Sequence, residues 1–224
     1  MTAISVSELP QVAETAIPEI AATPHRESIA RLAMLHDEAR ETALLANLLG
    51  RAPYAAVALA GLALATAALG FAHVSLAALL TWLVLIAGGV GAIARAYAHA
   101  IKAPFERVPL QTFSQDLSAI LFYLGFAWGA GAFLAMPVSA SALFLVLFSA
   151  GTCAVVAALL RAPEQALFFL APVMGLSALA PLMRGEIAGL YVLVAGGVVA
   201  AAIHASGRLF TAAKAPEIAS IPAR

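Results

Sequence analysis

Charged residues are scarce in this sequence: only 11% of its 224 residues are Asp, Glu, Lys or Arg, whereas 63% are hydrophobic. Soluble domains typically carry about 25% charged residues, so this chain has too little polar surface to coat a globule in water. Its formal net charge is zero, which argues against nucleic acid as a partner. The composition therefore predicts an integral membrane protein whose main partner is the lipid bilayer.

Residues that usually carry chemistry are also few. The single cysteine, Cys153, lies within an apolar run and cannot form an intramolecular disulfide, so the redox compartment cannot be read from it. The sequence contains no P-loop, dinucleotide fingerprint, HExxH, GxSxG or CxxC motif. The histidines near the predicted span ends (His73, His99 and His204) are too few for a shared metal site. We therefore expect no metal, no cofactor and no enzymatic activity.

Long apolar runs, by contrast, are abundant, and the clearest is residues 74–94. It carries no charge over about 20 residues, which is the length that crosses the hydrocarbon core of a bilayer. Counted from this run, the sequence predicts an all-α polytopic integral membrane protein with a six-helix transmembrane domain at residues 52–207. The six spans are expected at roughly 52–71, 74–98, 115–136, 138–160, 164–183 and 187–207.

The connections between these spans differ in length. The links at 71–74, 136–138 and 183–187 are very short, so we expect three helical hairpins. The longest internal link, KAPFERVPLQTFSQD, contains Pro104 and Pro109, which are expected to break helix there.

The distribution of basic residues predicts the orientation. In the six-span arrangement eleven of the twelve Lys and Arg residues fall on one side, and only Arg184 falls on the other. Cytoplasmic loops are enriched in Lys and Arg, so both termini are expected in the cytoplasm. The first long apolar run begins only near Ala52, which is not the pattern of a signal peptide.

Before the spans, residues 1–23 are expected to form a flexible acidic tail and residues 24–50 an amphipathic juxtamembrane helix. Ile29, Leu32 and Leu35 recur at three-residue steps and form an apolar stripe. The stripe predicts a partner-docking surface, and an equally good interpretation is a helix that merely leads into the first span. Residues 208–224 are expected to form a flexible C-terminal tail.

Asp116 is the candidate ionisable site. It follows Ser114 and Gln115 at the expected start of the third span, where an acidic residue would cap the helix and be favoured by its dipole. Capping is the favoured interpretation, and a proton or ion site is the alternative. Small residues such as Gly125 and Gly129 indicate close helix packing, either within the chain or in a homodimer.

Four segments carry a resemblance to a known family: ARETALLANLLGR before the first span, TWLVLIAGG in the second, FAWGAGAFLAMP across the third and APVMGLSALAPLM in the fifth. Over about residues 30–210 the layout resembles the six-helix membrane sensor regions that precede diguanylate cyclase, phosphodiesterase or histidine kinase domains in bacteria. The resemblance implies an input module that passes a helix movement to an output domain. Only GRLFTAAKAPEIASIPAR follows the sixth span, so here the output is expected to lie in a partner protein.

The residues and the resemblance together indicate two alternative functions, both in a bacterial inner membrane. The first is a non-catalytic, sensor-like signal transduction or interaction module of the inner membrane that acts through a partner, such as a signalling output protein. The alternative is a small transporter or channel subunit, although the spans carry mainly hydroxyl side chains rather than the polar groups of a substrate site.

Overall fold

The computed structural model describes the backbone of residues 23–102, 107–136 and 141–212. In this part of the chain all regular structure is helical, which confirms the predicted all-α class. The helices are α1 (Thr23–Gly70), α2 (Leu76–Ala100), α3 (Arg107–Leu134), α4 (Ala142–Leu160), α5 (Pro163–Met183) and α6 (Ala188–Ala212). Within α4, residues Leu147–Gly151 form a π-helical turn between two α-helical pieces.

The described residues contain six helices that are long and apolar enough to cross a membrane. Each corresponds to one of the predicted spans, and their length and composition indicate a multi-pass membrane protein. Insertion itself, the three-hairpin arrangement and the orientation stay predictions. The expected tails at 1–23 and 208–224 lie largely outside the described residues, although α6 continues to Ala212, beyond the expected boundary at 207.

The predicted helix at 24–50 and the predicted first span belong to one continuous helix, α1. Pro53 lies inside this helix and does not end it. The chain divides into two compact units, Met1–Glu41 and Thr42–Arg224. The first unit contains the start of α1, and the second contains the rest of α1 and the other five helices.

The predicted link between the second and third spans is longer than the real one. α3 begins at Arg107, so Pro109 lies in its first turn rather than in a loop. The first N–H groups of a helix have no partner within the helix, so a proline there removes no hydrogen bond. The expectation that Pro109 breaks helix was therefore wrong.

The core of the second unit is built around α3. Its Leu117, Leu121 and Leu124 are fully buried, one helical turn apart, and Trp128 continues the same face. Among helices in lipid, close packing of side chains takes over much of the role that hydrophobic burial has in water. α3 packs against α2, α4 and α5, so the shape of its surface positions all three.

Close approach of α3 and α5 depends on two glycines. A Cβ at Gly125 would lie 2.5 Å from the carbonyl oxygen of Phe169, and one at Gly129 would lie 2.9 Å from that of Pro172. The absence of these side chains lets the two backbones come together. The intramolecular interpretation of these glycines is thus confirmed, and a homodimer stays a prediction.

Candidate functional site

The predicted docking residues lie in the first compact unit. Leu32 is 66% exposed and Leu35 is 62% exposed, although both are large apolar side chains in α1. Ile29 also lies in α1, but its side chain is outside the described residues. Leu32 and Leu35, the two described members of the stripe, are therefore not covered by the rest of the first unit, and a partner protein could contact them.

Asp116 lies ten residues into α3 and is exposed. A capping residue must lie at the start of its helix, where the first amide groups lack partners. The capping interpretation was therefore wrong, and its cause is the earlier start of α3 at Arg107. Among the described residues, none forms a hydrogen bond or an ion pair with the Asp116 carboxylate.

One cavity contains Asp116 together with His99, and its volume is about 290 Å³. α2 contributes His99 from its last turn, and α3 contributes Asp116 and Thr112. His99 and Thr112 lie within about two turns of the short link that joins the two helices, and Asp116 lies one turn further along α3. The sequence placed both residues near span ends but did not bring them together. The shared link was the signal that could have done so.

A second cavity, of about 440 Å³, lies between the same two helices. Its lining is Gly88, Gly89, Ala92, Ala119, Ile120 and Tyr123. On α2 the lining residues of the two cavities follow one another at three- and four-residue steps, and the same holds on α3. Residues spaced in this way share one helix face, so the two cavities are the ends of one depression, the α2–α3 groove.

The floor of the α2–α3 groove is fixed by packing and by one hydrogen bond. The Tyr123 hydroxyl donates to the carbonyl oxygen of Leu85 at 3.2 Å. A Cβ at Gly89 would lie 2.4 Å from Leu124, so the helices touch closely beneath the groove. Gly88 is exposed, and a Cβ there would make only an ordinary contact, 3.7 Å from the Tyr123 hydroxyl. The groove is therefore shallow, largely apolar and open on its outer side.

Behind these helices, three buried aromatic rings join α2, α3 and α4. The rings of Trp82 and Trp128 meet edge to face with centroids 5.6 Å apart, and Trp128 stacks on Phe148 at 5.2 Å. Trp82 Nε1 donates to the carbonyl oxygen of Ala127 at 2.9 Å. A Cβ at Gly131 would lie 2.7 Å from Trp82 Nε1, so glycine makes room for this aromatic cluster.

The π-helical turn of α4 supplies the polar contacts of the aromatic cluster. The Thr152 amide N–H donates to the carbonyl oxygen of Ser149, not to that of Phe148 as a regular α-helix would require. The Phe148 carbonyl oxygen accepts from Trp128 Nε1 at 3.0 Å and from the Thr152 hydroxyl at 2.7 Å. The turn therefore holds α3 to α4 through a buried carbonyl, which the sequence did not reveal.

Several other polar groups have local explanations. Ser149 is buried and its hydroxyl donates to the carbonyl oxygen of Leu145 at 2.7 Å. Arg184 and Glu186, in the turn after α5, form an ion pair in which Nε and Oε1 are 2.7 Å apart. Glu164 lies in the first turn of α5 after Pro163, where the helix dipole favours an acidic residue. Within the described residues, no group of three or more His, Cys, Asp or Glu could hold a metal ion.

Comparison with known proteins finds no matching family model, no matching curated protein and no matching solved structure. The resemblance to membrane sensor regions therefore stays a prediction, and any function proposed for this protein must follow from its own residues.

Proposed function

We propose that this protein is a non-catalytic, sensor-like interaction module of a bacterial inner membrane, which acts through a partner protein. The observation that carries the proposal is the exposure of Leu32 and Leu35 in the first compact unit. They lie three residues apart, so they point to nearly the same side of α1. Exposed apolar residues clustered on one side are typical of an interaction surface. With both termini in the cytoplasm, that surface would face a cytoplasmic partner.

Helix geometry provides a matched control for this surface. Met34 is 66% exposed, the same fraction as Leu32, but it lies two residues away and hence about 200° around the helix. A partner that docks on the stripe should contact Leu32 and Leu35 and leave Met34 uncovered. Loss of binding can therefore be separated from a general loss of apolar surface.

The test compares Leu32→Ser/Leu35→Ser with Met34→Ser in mildly solubilised membranes. Full burial of a leucine is worth about 1.5–3 kcal/mol, so the double variant should lower recovery of the co-purifying partner at least about tenfold. The Met34→Ser variant should recover it at the wild-type level. All three proteins should insert into the membrane equally. Equal recovery by the double variant and wild type, or purification of the intact protein alone in several mild detergents, would refute the docking function.

A transporter or channel subunit is the second candidate, and the cavity shared by His99 and Asp116 favours it. Transporters bind substrates at polar groups set within otherwise apolar helices. Substrate-specific flux into proteoliposomes that Asp116→Asn abolishes would establish this function. Absence of flux for ions and small solutes would leave the interaction module as the proposal.

A further inference from the structure

We infer that the α2–α3 groove binds a membrane phospholipid with a primary-amine headgroup. The headgroup lies at the end of the groove that contains Asp116 and His99, with its amine at Asp116, and an acyl chain lies along the apolar part of the groove. This inference does not rest on the docking surface of α1, and either proposal can fail alone. If the protein is a sensor, the groove supplies the membrane cue that the proposed function leaves unnamed.

The shape of the groove matches that of a lipid in one leaflet. It runs from His99 to Gly88 along α2, which is eleven residues or about 16 Å at the rise of an α-helix. The hydrocarbon core of a bilayer is about 30 Å thick, so this length matches one leaflet. The polar end lies toward the link that joins the two helices, and the apolar end lies near their middle. A lipid has the same order of parts along the same axis.

The charge at the polar end of the groove favours an amine. Asp116 is exposed, and no described residue forms an ion pair with it. A carboxylate at the edge of a hydrocarbon layer is stabilised by a donor that carries positive charge. A primary ammonium group offers three such donors, whereas a quaternary ammonium group offers none. The carboxylate would repel a headgroup with negative charge alone.

The residues around that carboxylate favour a phosphate beside the amine. Arg95 on α2 and Lys102 just after its end are exposed and lie four and three residues from His99. They can attract a phosphate, while His99 can donate a hydrogen bond to it. A zwitterionic headgroup thus finds an acidic residue for its amine and basic residues for its phosphate. A lone metal cation or another apolar helix would use only one part of this arrangement.

The experiment is lipid binding to the purified full chain, followed by native mass spectrometry. The probes are phosphatidylethanolamine, phosphatidylcholine and phosphatidylglycerol with identical acyl chains. A charge-assisted hydrogen bond changes affinity by about tenfold or more, so we expect phosphatidylethanolamine to bind at least about tenfold more tightly than the other two. Asp116→Asn should keep the wild-type melting temperature and reduce this preference to about twofold or less.

A filled groove tests the acyl chain. Ala92→Phe places a ring in the groove and should weaken binding of all three lipids at least about tenfold. Ala94→Phe is the matched control, because residue 94 lies about 200° around α2 from residue 92 and is exposed. It should bind lipids as wild type does. If Ala92→Phe does not fold, Ala119→Phe fills the groove from α3 and makes the same prediction.

Four results would overturn the inference. Equal affinity of the wild type for the ethanolamine and choline lipids would show that the amine is not recognised. Unchanged lipid binding in the folded groove-filling variant would show that the acyl chain does not lie in the groove. Competition by soluble glycerophosphoethanolamine as strong as that of the whole lipid would point to a headgroup site without a chain. A dimer that Ala92→Phe dissociates, with no lipid retained, would show that a second copy covers the groove.

Discussion

A single missing Cβ decides how closely two helices of this protein can approach. At Gly125 the nearest atoms to an added Cβ are the Phe169 carbonyl oxygen and Pro172 Cγ, both at 2.5 Å. One is backbone and the other belongs to a rigid ring, so neither can move aside. At Gly91 on α2, in contrast, no atom lies within 4 Å of an added Cβ. The same residue type therefore has a packing role at one position and none at the other.

We expect Gly125→Ala to destabilise the protein by about 1–3 kcal/mol, because overpacking forces α3 and α5 apart. Gly91→Ala should instead be neutral or stabilise it by up to about 1 kcal/mol, because alanine favours helix without a clash. Unfolding in mixed micelles would measure both variants. If the two had the same stability, the close approach of α3 and α5 would not depend on Gly125.

At the scale of the helices, α3 is the element against which α2, α4 and α5 are placed. It contacts α5 through glycines, α2 through Leu124 and α4 through the aromatic cluster. The contact with α4 is polar as well as apolar, since the Phe148 carbonyl oxygen accepts from both Trp128 Nε1 and the Thr152 hydroxyl. The π-helical turn makes this possible by redirecting the Thr152 amide to Ser149. Such turns often mark functional positions, and here the turn joins two helices.

A double-mutant cycle tests that junction. Trp128→Phe and Thr152→Val should each cost about 1 kcal/mol, because the buried carbonyl keeps its other side-chain donor. The double variant removes both donors and should cost about 0.5–1 kcal/mol more than the sum of the single costs. Phe133→Leu, at an exposed position of the same helix, is the control and should have little effect. Strict additivity would show that the two donors do not share the carbonyl in solution.

For the whole molecule, the main open property is the direction in which the six helices cross the membrane. The Lys and Arg count predicts that Arg184 alone lies on the outer side. The structure identifies suitable labelling positions, since Val108 is 72% exposed in the first turn of α3 and Arg184 is at the end of α5. Gly185 is less suitable, because its φ of 74° strains any other residue.

We expect Arg184→Cys to react with an impermeant thiol reagent in intact cells, whereas Val108→Cys should react only after the membrane is opened. Both are made in a Cys153→Ala background, since Cys153 is the chain's single cysteine. The parent Cys153→Ala protein is the control for background labelling. The reverse labelling pattern would invert the orientation, and labelling of both sites in intact cells would contradict the six-span arrangement.

The sequence by itself determined the class of this protein and the positions of its helices. The lengths of the apolar runs determine both, because each span must form its backbone hydrogen bonds within itself and must cross the same thickness of hydrocarbon. The spacing of Leu32 and Leu35 was also visible in the sequence, since a periodic stripe is a local property of one helix, whereas their exposure is a finding of the structure. The helix start at Arg107 was missed, because proline is tolerated in a first turn.

Only the tertiary structure decided which residues meet. The groove with His99 and Asp116 depends on how α2 and α3 pack, and their side-chain spacing alone gives no distance between helices. The contact of α3 with α5 depends on two glycines whose neighbours lie more than forty residues away. The redirected Thr152 amide depends on a π-helical turn that no residue pattern in α4 announces. These features arise from pairs of surfaces, whereas hydropathy describes one residue and its chain neighbours.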